Sequence, residues 1–334
     1  MSAANAPVIT TPPAPTARFG ASRWTSRLAT AGVALAVIAL LLVGLAVSPQ
    51  FATATNLVNM LRAVALLAIV AAGVVPVTFG GQYADLSVPS IMAVAGATTI
   101  AAQGLGFWPS LGAGLATGTL VGVVNGAAIG GLRVNPIIWT LASGSLVNGV
   151  LRWRFGGTQI YPDATADAGR RFLALYDATL PGGVPLVLAI ALLAIVATQL
   201  LLVRTTLGAR LRLTGAAREA ARLSGVPVGR TIALAFAWSA LLASVGGILL
   251  TSLNKVGAAY IGTGYDFTAV TAIVLGGVPL AGGRGSAIGV AGGVLVIGLM
   301  GNILTLLGVG SFAQVVIQGA VFIAVVGVQQ WTLR

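Results

Sequence analysis

Long runs of apolar residues without charged side chains dominate this sequence. The first run, 28–47, has about 20 residues, and a helix rising about 1.5 Å per residue would carry it across a hydrocarbon core of roughly 30 Å. Nine further runs lie at 57–79, 87–104, 110–131, 135–151, 184–203, 231–252, 267–281, 286–307 and 312–329. Only 7% of the residues are charged, whereas soluble domains have about 25%. The sequence therefore predicts an all-α polytopic membrane protein with about ten transmembrane helices.

Two of these runs are weak as continuous spans. Segments 135–151 and 267–281 are short and flanked by Gly or Pro, so a broken or re-entrant segment, covered by protein or lining a water-filled cavity, is an alternative for each. The stretch "AIVAAGVVPVTFGG" (68–81) also resembles "AIVLGGVPLAGG" (272–283). Transporters often contain internal repeats, but chance similarity between segments of Ala, Val and Gly is a competing explanation.

The distribution of charge predicts the topology. Residues 1–27 are rich in Pro, Ala and Thr and predict a disordered N-terminal tail, followed by one transmembrane domain over 28–330. With the tail in the cytoplasm, ten spans place twelve Lys and Arg inside and six outside, as the positive-inside rule requires. Both termini and loop 204–230 would then be cytoplasmic. A cleaved signal peptide is the alternative for the first run, which exceeds the usual apolar length of about 7–15 residues.

The residue inventory excludes several kinds of chemistry. The chain has neither Cys nor His, which excludes thiolate and imidazole metal ligands and histidine acid–base catalysis. Its only lysine, Lys255, lies in "LNKVG" and not in the Gly-x-x-x-x-Gly-Lys-[Ser/Thr] loop that binds nucleotide phosphates. The net charge of +12 is explained by loop arginines, without nucleic acid as a partner. We expect no enzyme activity, and no cofactor or metal bound by this chain.

The stretch "GAAREAARLSGVPVGR" (215–230) is unusually charged for this sequence. It predicts a short helix over 216–224, because Gly225 favours a left-handed C-terminal position and Pro227 prevents continuation. Glu219, the only glutamate, lies three residues before an arginine and within its reach. The helix has a small or apolar face and an arginine face, formed by Ala216, Ala220 and Leu223 and by Arg218 and Arg222.

Five stretches in fixed order carry a family resemblance. They are "NLVNMLR" (56–62), "GGQYADLSVPS" (80–90), "NPIIWTLASGSLVNGV" (135–150), "TTLGARLRLTGAAREAARLSGVPVGR" (205–230) and "GYDFTAVTAIVLGGVPLAGGRGSAIG" (264–289). Together they resemble the permease subunit of ribose-type ABC sugar importers, the carbohydrate branch of the second binding-protein-dependent permease family. The second stretch departs from the family pattern, with Gln82-Tyr83-Ala84 in place of one residue and Pro89 in place of Gly.

The resemblance implies a type II-like ABC importer permease in the bacterial inner membrane. It would translocate a monosaccharide or related polyol delivered by a periplasmic or extracellular binding protein. Its other expected partners are an ABC ATPase subunit, which would hold ATP and Mg²⁺, a second permease copy or paralogue, and membrane lipid. A secondary transporter or channel for a small polar solute is the alternative, although it would need intramembrane charges for ion coupling, and the sequence offers few.

Three groups of candidate residues follow from the resemblance and from residue chemistry. The first would couple the permease to the ATPase through a docking helix, with a plain solvated turn as the alternative: Arg210, Arg218, Glu219, Ala220, Ala221, Arg222, Leu223, Ser224 and Gly225. The second is a signature or gate group: Gly80, Gly81, Asp85, Ser87, Gly282, Gly283 and Arg284. Within it, Asp85 either caps a helix beginning near Leu86 or serves a gate or ATPase contact.

The third group consists of polar or aromatic residues at membrane depth that are candidates for the solute path: Asn59, Asn125, Trp139, Asn148, Asn302 and Gln314. A sugar needs hydrogen-bonding groups and aromatic faces, and hydrogen bonding between neighbouring helices is the alternative role for each of these side chains. Segment 152–183, with aromatic residues and three Asp among four Arg, is either a contact for the binding protein or a solvated loop.

Overall fold

The computed structural model describes residues 22–331, and this range is folded almost entirely into α-helices. Thirteen helices are present there: α1 (Ser22–Val47), α2 (Ala54–Phe79), α3 (Val88–Ala101), α4 (Phe107–Leu132), α5 (Pro136–Arg154), α6 (Asp167–Ala174), α7 (Leu186–Arg204), α8 (Thr206–Ala216), α9 (Arg218–Leu223), α10 (Val228–Asn254), α11 (Tyr265–Leu275), α12 (Ala287–Leu306) and α13 (Ser311–Trp331). Each of the ten apolar runs corresponds to one helix. The expected tail falls largely outside the described residues, but 22–27 are helical, since no Pro or Gly interrupts 22–31.

Five helices are long and apolar enough to cross a membrane, namely α2, α4, α7, α10 and α12. Shorter apolar helical stretches lie in α1, α3, α11 and α13. The chain is therefore a multi-pass membrane protein, while the number of ten spans stays a prediction. Residues 136–151 lie in the unbroken, 19-residue helix α5, so a break is excluded within this segment, while a re-entrant path stays a prediction.

The centre of the bundle is formed by α2, α3 and α10. Every residue from Val64 to Gly80 is buried, so this part of α2 is surrounded by protein on all sides, which explains why its sequence is apolar all round. The long helix α10 packs against α2, α3 and α4, and α7, α11 and α12 pack around the other side of α2.

A stripe of glycines sets the distance between α4 and its neighbours. Gly114, Gly118, Gly122, Gly126 and Gly130 recur every four residues and so share one face of α4. A Cβ on any of them would meet atoms of α3 or α10: Gly118 faces Ser244, and Gly130 faces the backbone of Gly229. Small residues at this spacing let helix backbones approach closely in membranes.

Two irregular segments, 80–87 and 276–286, lie at the ends of short helices, and we call them the signature turns. The turn 80–87 leads from α2 into α3, and 276–286 leads from α11 into α12. With 14 and 11 residues, α3 and α11 extend about 21 Å and about 16 Å, less than a hydrocarbon core of about 30 Å. The predicted spans 87–104 and 267–281 are thus too long: α3 ends at Ala101, before a 3-10 turn at Gln103–Leu105, and α11 ends at Leu275, where the second signature turn begins.

Candidate functional sites at the two ends of the bundle

The charged helix forms at the predicted place. Helix α9 covers Arg218–Leu223, and a break at Ala217 separates it from α8. The Glu219 carboxylate accepts a 2.6 Å hydrogen bond from the Arg222 guanidinium. Gly225 follows with φ 77°, the left-handed conformation expected of it. We call this end of the bundle the α9 end.

The predicted apolar face of this helix is wrong in part. Ala216 belongs to α8, and Ala220 is exposed, while Ala221 is the residue that packs inward at 3% exposure. Leu223 is 80% exposed. The break at Ala217 rotates α9 relative to one continuous helix, so a helical wheel drawn through 216–224 assigns the wrong residues to the interior.

Helix α8, which precedes α9, contacts both signature turns through glycines. A Cβ on Gly215 would clash with the carbonyl oxygen of Phe79 and lie 2.6 Å from the amide nitrogen of Gly283. The Gly283 N–H donates to the Phe79 carbonyl at 2.9 Å, and a Cβ on Gly282 would lie 2.6 Å from the nitrogen of Gly81. The ends of α2 and α8 and the second turn therefore touch backbone to backbone.

The remaining members of the first two candidate groups lie around this contact. A Cβ on Gly80 would lie 3.0 Å from the Leu211 side chain. Arg284 lines a groove of about 660 Å³ together with Ala220, Ala221 and Ser224 of the α9 segment. Arg210 is exposed on α8.

Asp85 is the centre of a buried hydrogen-bond network. Its Oδ1 accepts from the Ser87 amide at 3.1 Å and from the Ser87 hydroxyl at 2.5 Å, and its Oδ2 accepts from the Ser239 hydroxyl at 3.2 Å. The network continues through Asn125, which donates to the Ser87 hydroxyl, to Trp139, whose indole N–H donates to Asn125. Asp85 thus closes the turn before α3, near the predicted start at Leu86, and also ties that turn to α10, α4 and α5.

Away from the α9 end, a cavity of about 610 Å³ lies between α2, α11, α12 and α13. Among the proposed path residues it brings together Asn59, Asn302 and Gln314. Its remaining polar lining is neutral: Asn56, Thr263, Tyr265, Thr268, Thr305 and Gln318. Amides and hydroxyls without a formal charge match the hydrogen-bonding needs of a polyhydroxylated solute.

Asn56 is a cavity residue that sequence reasoning missed. Its amide forms a reciprocal pair with Asn302: each Nδ2 donates to the other's Oδ1, at 3.1 and 2.8 Å. The motif "NLVNMLR" begins with Asn56, so the signal was present in the sequence. Gln314 is held nearby, donating to the Val309 carbonyl at 2.9 Å.

The other three proposed path residues lie elsewhere and join helices. Trp139 and Asn125 connect α5 to α4 within the Asp85 network. Asn148 donates to the Ser90 hydroxyl at 2.8 Å, connecting α5 to α3. For these three side chains the geometry matches the helix-joining alternative.

Segment 152–183 covers the end of the bundle opposite α9. It contains the short helix α6, and Ile160 exchanges two backbone hydrogen bonds with Gly257. An ion pair of 2.9 Å joins Asp177 to Arg62. Hydrogen bonds from the Thr165 hydroxyl and amide lower the pKa of the exposed Asp163 carboxyl below its usual range. This loop is therefore an ordered, polar surface.

Within residues 22–331, no group of three or more His, Cys, Asp or Glu side chains is arranged to hold a metal ion. The described carboxylates are spread over both ends of the bundle and its interior.

Comparisons with known proteins identify the family. A family model described as "Branched-chain amino acid transport system / permease component" matches residues 56–326. The L-arabinose transport system permease protein AraH of Escherichia coli K12 is 37% identical over 295 residues, 87% of this chain and 88% of that protein. No solved structure matches the chain.

Two other relatives are also permeases. The ribose import permease protein RbsC of Escherichia coli K12 is 32% identical, over 87% of this chain and 91% of that protein. The fructose import permease protein FruF of Bifidobacterium longum is 32% identical, over 69% of this chain and 65% of that protein. The chain therefore belongs to this family of transport-system permease components.

Proposed function

We propose that this chain is the membrane-spanning subunit of an ATP-driven importer for a neutral sugar or related polyol. Its relatives are permeases named for L-arabinose, ribose and fructose. The uncharged, amide-lined cavity suits such a solute, since no lining side chain carries a formal charge. The solute would contact Asn56, Asn59, Asn302 and Gln314 on its way through the protein.

The proposed coupling of ATPase motion to the membrane helices depends on the close approach of Gly215 to Phe79 and Gly283. An ATPase subunit would dock against α9, whose tip, Leu223, is exposed. A displacement of α9 and α8 would then move the ends of α2 and the second signature turn, because these backbones touch without intervening side chains. Since α2 and α11 also line the cavity, the motion would reach the solute.

The wider assembly follows the same proposal. ATP and Mg²⁺ would be bound by the ATPase subunit, and a second permease copy or paralogue would complete a dimer. The α9 end would face the cytoplasm of a bacterial cell with both termini, and segment 152–183 would meet the binding protein outside. The arrangement of about ten spans would be that of a type II-like importer permease.

Reconstitution tests this function. The permease is placed in liposomes alone, or with its ATPase and binding protein, and uptake of radiolabelled L-arabinose, ribose and fructose is measured. We expect accumulation against a gradient only in the complete system with ATP. Accumulation by the permease alone, driven by an ion gradient, would favour the secondary-transporter alternative.

The cavity is tested in the same system by Asn302→Leu, with Asn254→Leu as the control on an exposed residue outside the cavity. We expect Asn302→Leu to raise the KM for uptake about tenfold, the effect of losing roughly 1.4 kcal/mol of binding. Binding-protein-stimulated ATP hydrolysis should be retained. An unchanged KM would place the solute path elsewhere while leaving the importer function intact.

A further inference from the structure

A basic pocket of about 430 Å³ lies beside α9, on the side facing α4. Four arginines line it, together with a single carboxylate, that of Glu219: Arg133, Arg218, Arg222 and Arg230. This volume falls within the range of about 300–1,000 Å³ typical of small-ligand pockets. The pocket does not share a lining residue with the groove that holds Ala220, Ala221 and Ser224.

The floor of the pocket is made by the ends of two long apolar helices. Gly130 near the end of α4 and Gly229 at the start of α10 both line it, and a Cβ on Gly229 would lie 2.7 Å from the Gly130 carbonyl oxygen. Leu132, two residues further along α4, is 72% exposed. Because α4 is long and apolar enough to cross a membrane, its end is expected near the boundary between hydrocarbon and headgroups.

The pocket has more positive charge than its own carboxylate neutralises. Glu219 is paired with Arg222, and Arg133, Arg218 and Arg230 form no salt bridge with the part of the chain between residues 22 and 331. Arg133 is the C-cap residue of α4, so the end of this helix places it at the pocket.

The exposed tip of α9 and its arginine side face different ways, and this favours a lipid over a protein as the occupant of the arginine pocket. Leu223 at the tip is exposed and Ala221 packs toward the signature turns, whereas the arginines face the end of α4. A subunit docking on the tip therefore contacts a different surface from the arginine pocket, which lies between α9 and the adjoining ends of α4 and α10.

We propose that this pocket binds the phosphate of an anionic phospholipid from the leaflet on the α9 side. Guanidinium groups donate two parallel hydrogen bonds to phosphate oxygens, and basic pockets between helix ends are suited to anionic headgroups. The bound lipid would bridge α4 and α10 to α9, and would thereby hold α9 at a fixed height above the membrane.

The test uses the purified full-length permease in nanodiscs of phosphatidylcholine with phosphatidylglycerol, followed by native mass spectrometry of retained lipid. The variant Arg133→Gln/Arg230→Gln removes two pocket charges, and Arg204→Gln removes one arginine outside the pocket. We expect phosphatidylglycerol retention to fall about tenfold or more in the double variant, a change of at least 1.4 kcal/mol, and to stay at the wild-type level in Arg204→Gln. Equal thermal unfolding temperatures would confirm that both variants are folded.

Three results would overturn the proposal. The first is equal phosphatidylglycerol retention in all three proteins. The second is binding of inorganic phosphate in phosphatidylcholine-only nanodiscs that the double variant loses, without any effect on phosphatidylglycerol, which would indicate a free-anion site. The third is loss of ATPase-subunit co-purification in the double variant with lipid retention unchanged, which would indicate a protein contact. This experiment does not measure transport, so a negative result would contradict the lipid site and not the proposed importer function.

Discussion

Asp85 shows what a single side chain does in the interior of this protein. It is 1% exposed, and its carboxylate accepts hydrogen bonds from hydroxyls and an amide. The sequence predicted a capping or gate role, but Ser87 is the N-cap of α3, and Asp85 instead accepts from the Ser87 amide in the preceding turn and links that turn to α10 through Ser239. That link was not predictable, because the partner lies 154 positions away and nothing in a local pattern specifies it.

Replacing Asp85 by Ala should therefore destabilise the fold. The Ser87 amide and the Ser239 hydroxyl would lose their acceptor while buried, at about 1–3 kcal/mol each, and thermal unfolding of the detergent-solubilised protein measures the change. Asp85→Asn retains an acceptor oxygen and should lose less. An unfolding temperature equal to wild type for Asp85→Ala would contradict this account, and reduced uptake by a fully stable Asp85→Asn would favour the gate role.

Gly215 should tolerate no side chain. Gly215→Ala places a methyl group against the Phe79 carbonyl and Gly283, and such overpacking typically destabilises by about 1–3 kcal/mol. The matched control is Gly112→Ala on α4, where nothing lies within 4 Å of the new Cβ and a gain of about 0.5–1 kcal/mol is expected from helix propensity. Unfolding temperatures of both variants, with ATP-driven uptake, compare them. Equal behaviour of the two would show that the backbone contact is dispensable.

At the scale of elements, apolar runs predicted where helices lie, since their length matches a membrane and their composition excludes water. They did not predict where α3 and α11 end, because the apolar run 87–104 continues into the 3-10 turn Gln103–Leu105 and the run 267–281 continues into the largely apolar start of the second signature turn. Helix α6 was missed because it has only eight residues and mixes charged with apolar side chains, and its buried residues Ala168, Gly169 and Phe172 pack it against the bundle. The spacing of the glycines in α4 could be seen in the sequence, but the sequence does not indicate that they face α3 and α10.

The exposed tip of α9 should govern assembly without affecting stability. Leu223→Asp changes a side chain that is 80% exposed, so the free energy of unfolding should move by less than about 0.5 kcal/mol, while ATPase-subunit binding falls markedly. Leu105→Asp, at a residue 71% exposed at the opposite end, is the control. Co-purification and surface plasmon resonance measure binding. Unimpaired binding by Leu223→Asp would remove the tip from the docking surface.

For the whole molecule, charge predicted an orientation that single-cysteine labelling can determine. The chain has no native cysteine, so Ser224→Cys beside α9 and Ala164→Cys in the opposite loop each give one reactive thiol. In intact cells we expect an impermeant maleimide to label Ala164→Cys, and to label Ser224→Cys only after permeabilisation. Labelling of both from the same side would contradict the predicted topology.

The uncharged lining of the amide cavity has an electrical consequence. Moving one elementary charge across a potential of 100 mV changes the free energy by about 2.3 kcal/mol. A neutral solute that passes neutral amides and hydroxyls carries no charge across the membrane, so the membrane potential does no work on it. Transit through this cavity would then proceed equally in energised and depolarised cells, and would leave the voltage across the membrane undiminished for the processes that consume it.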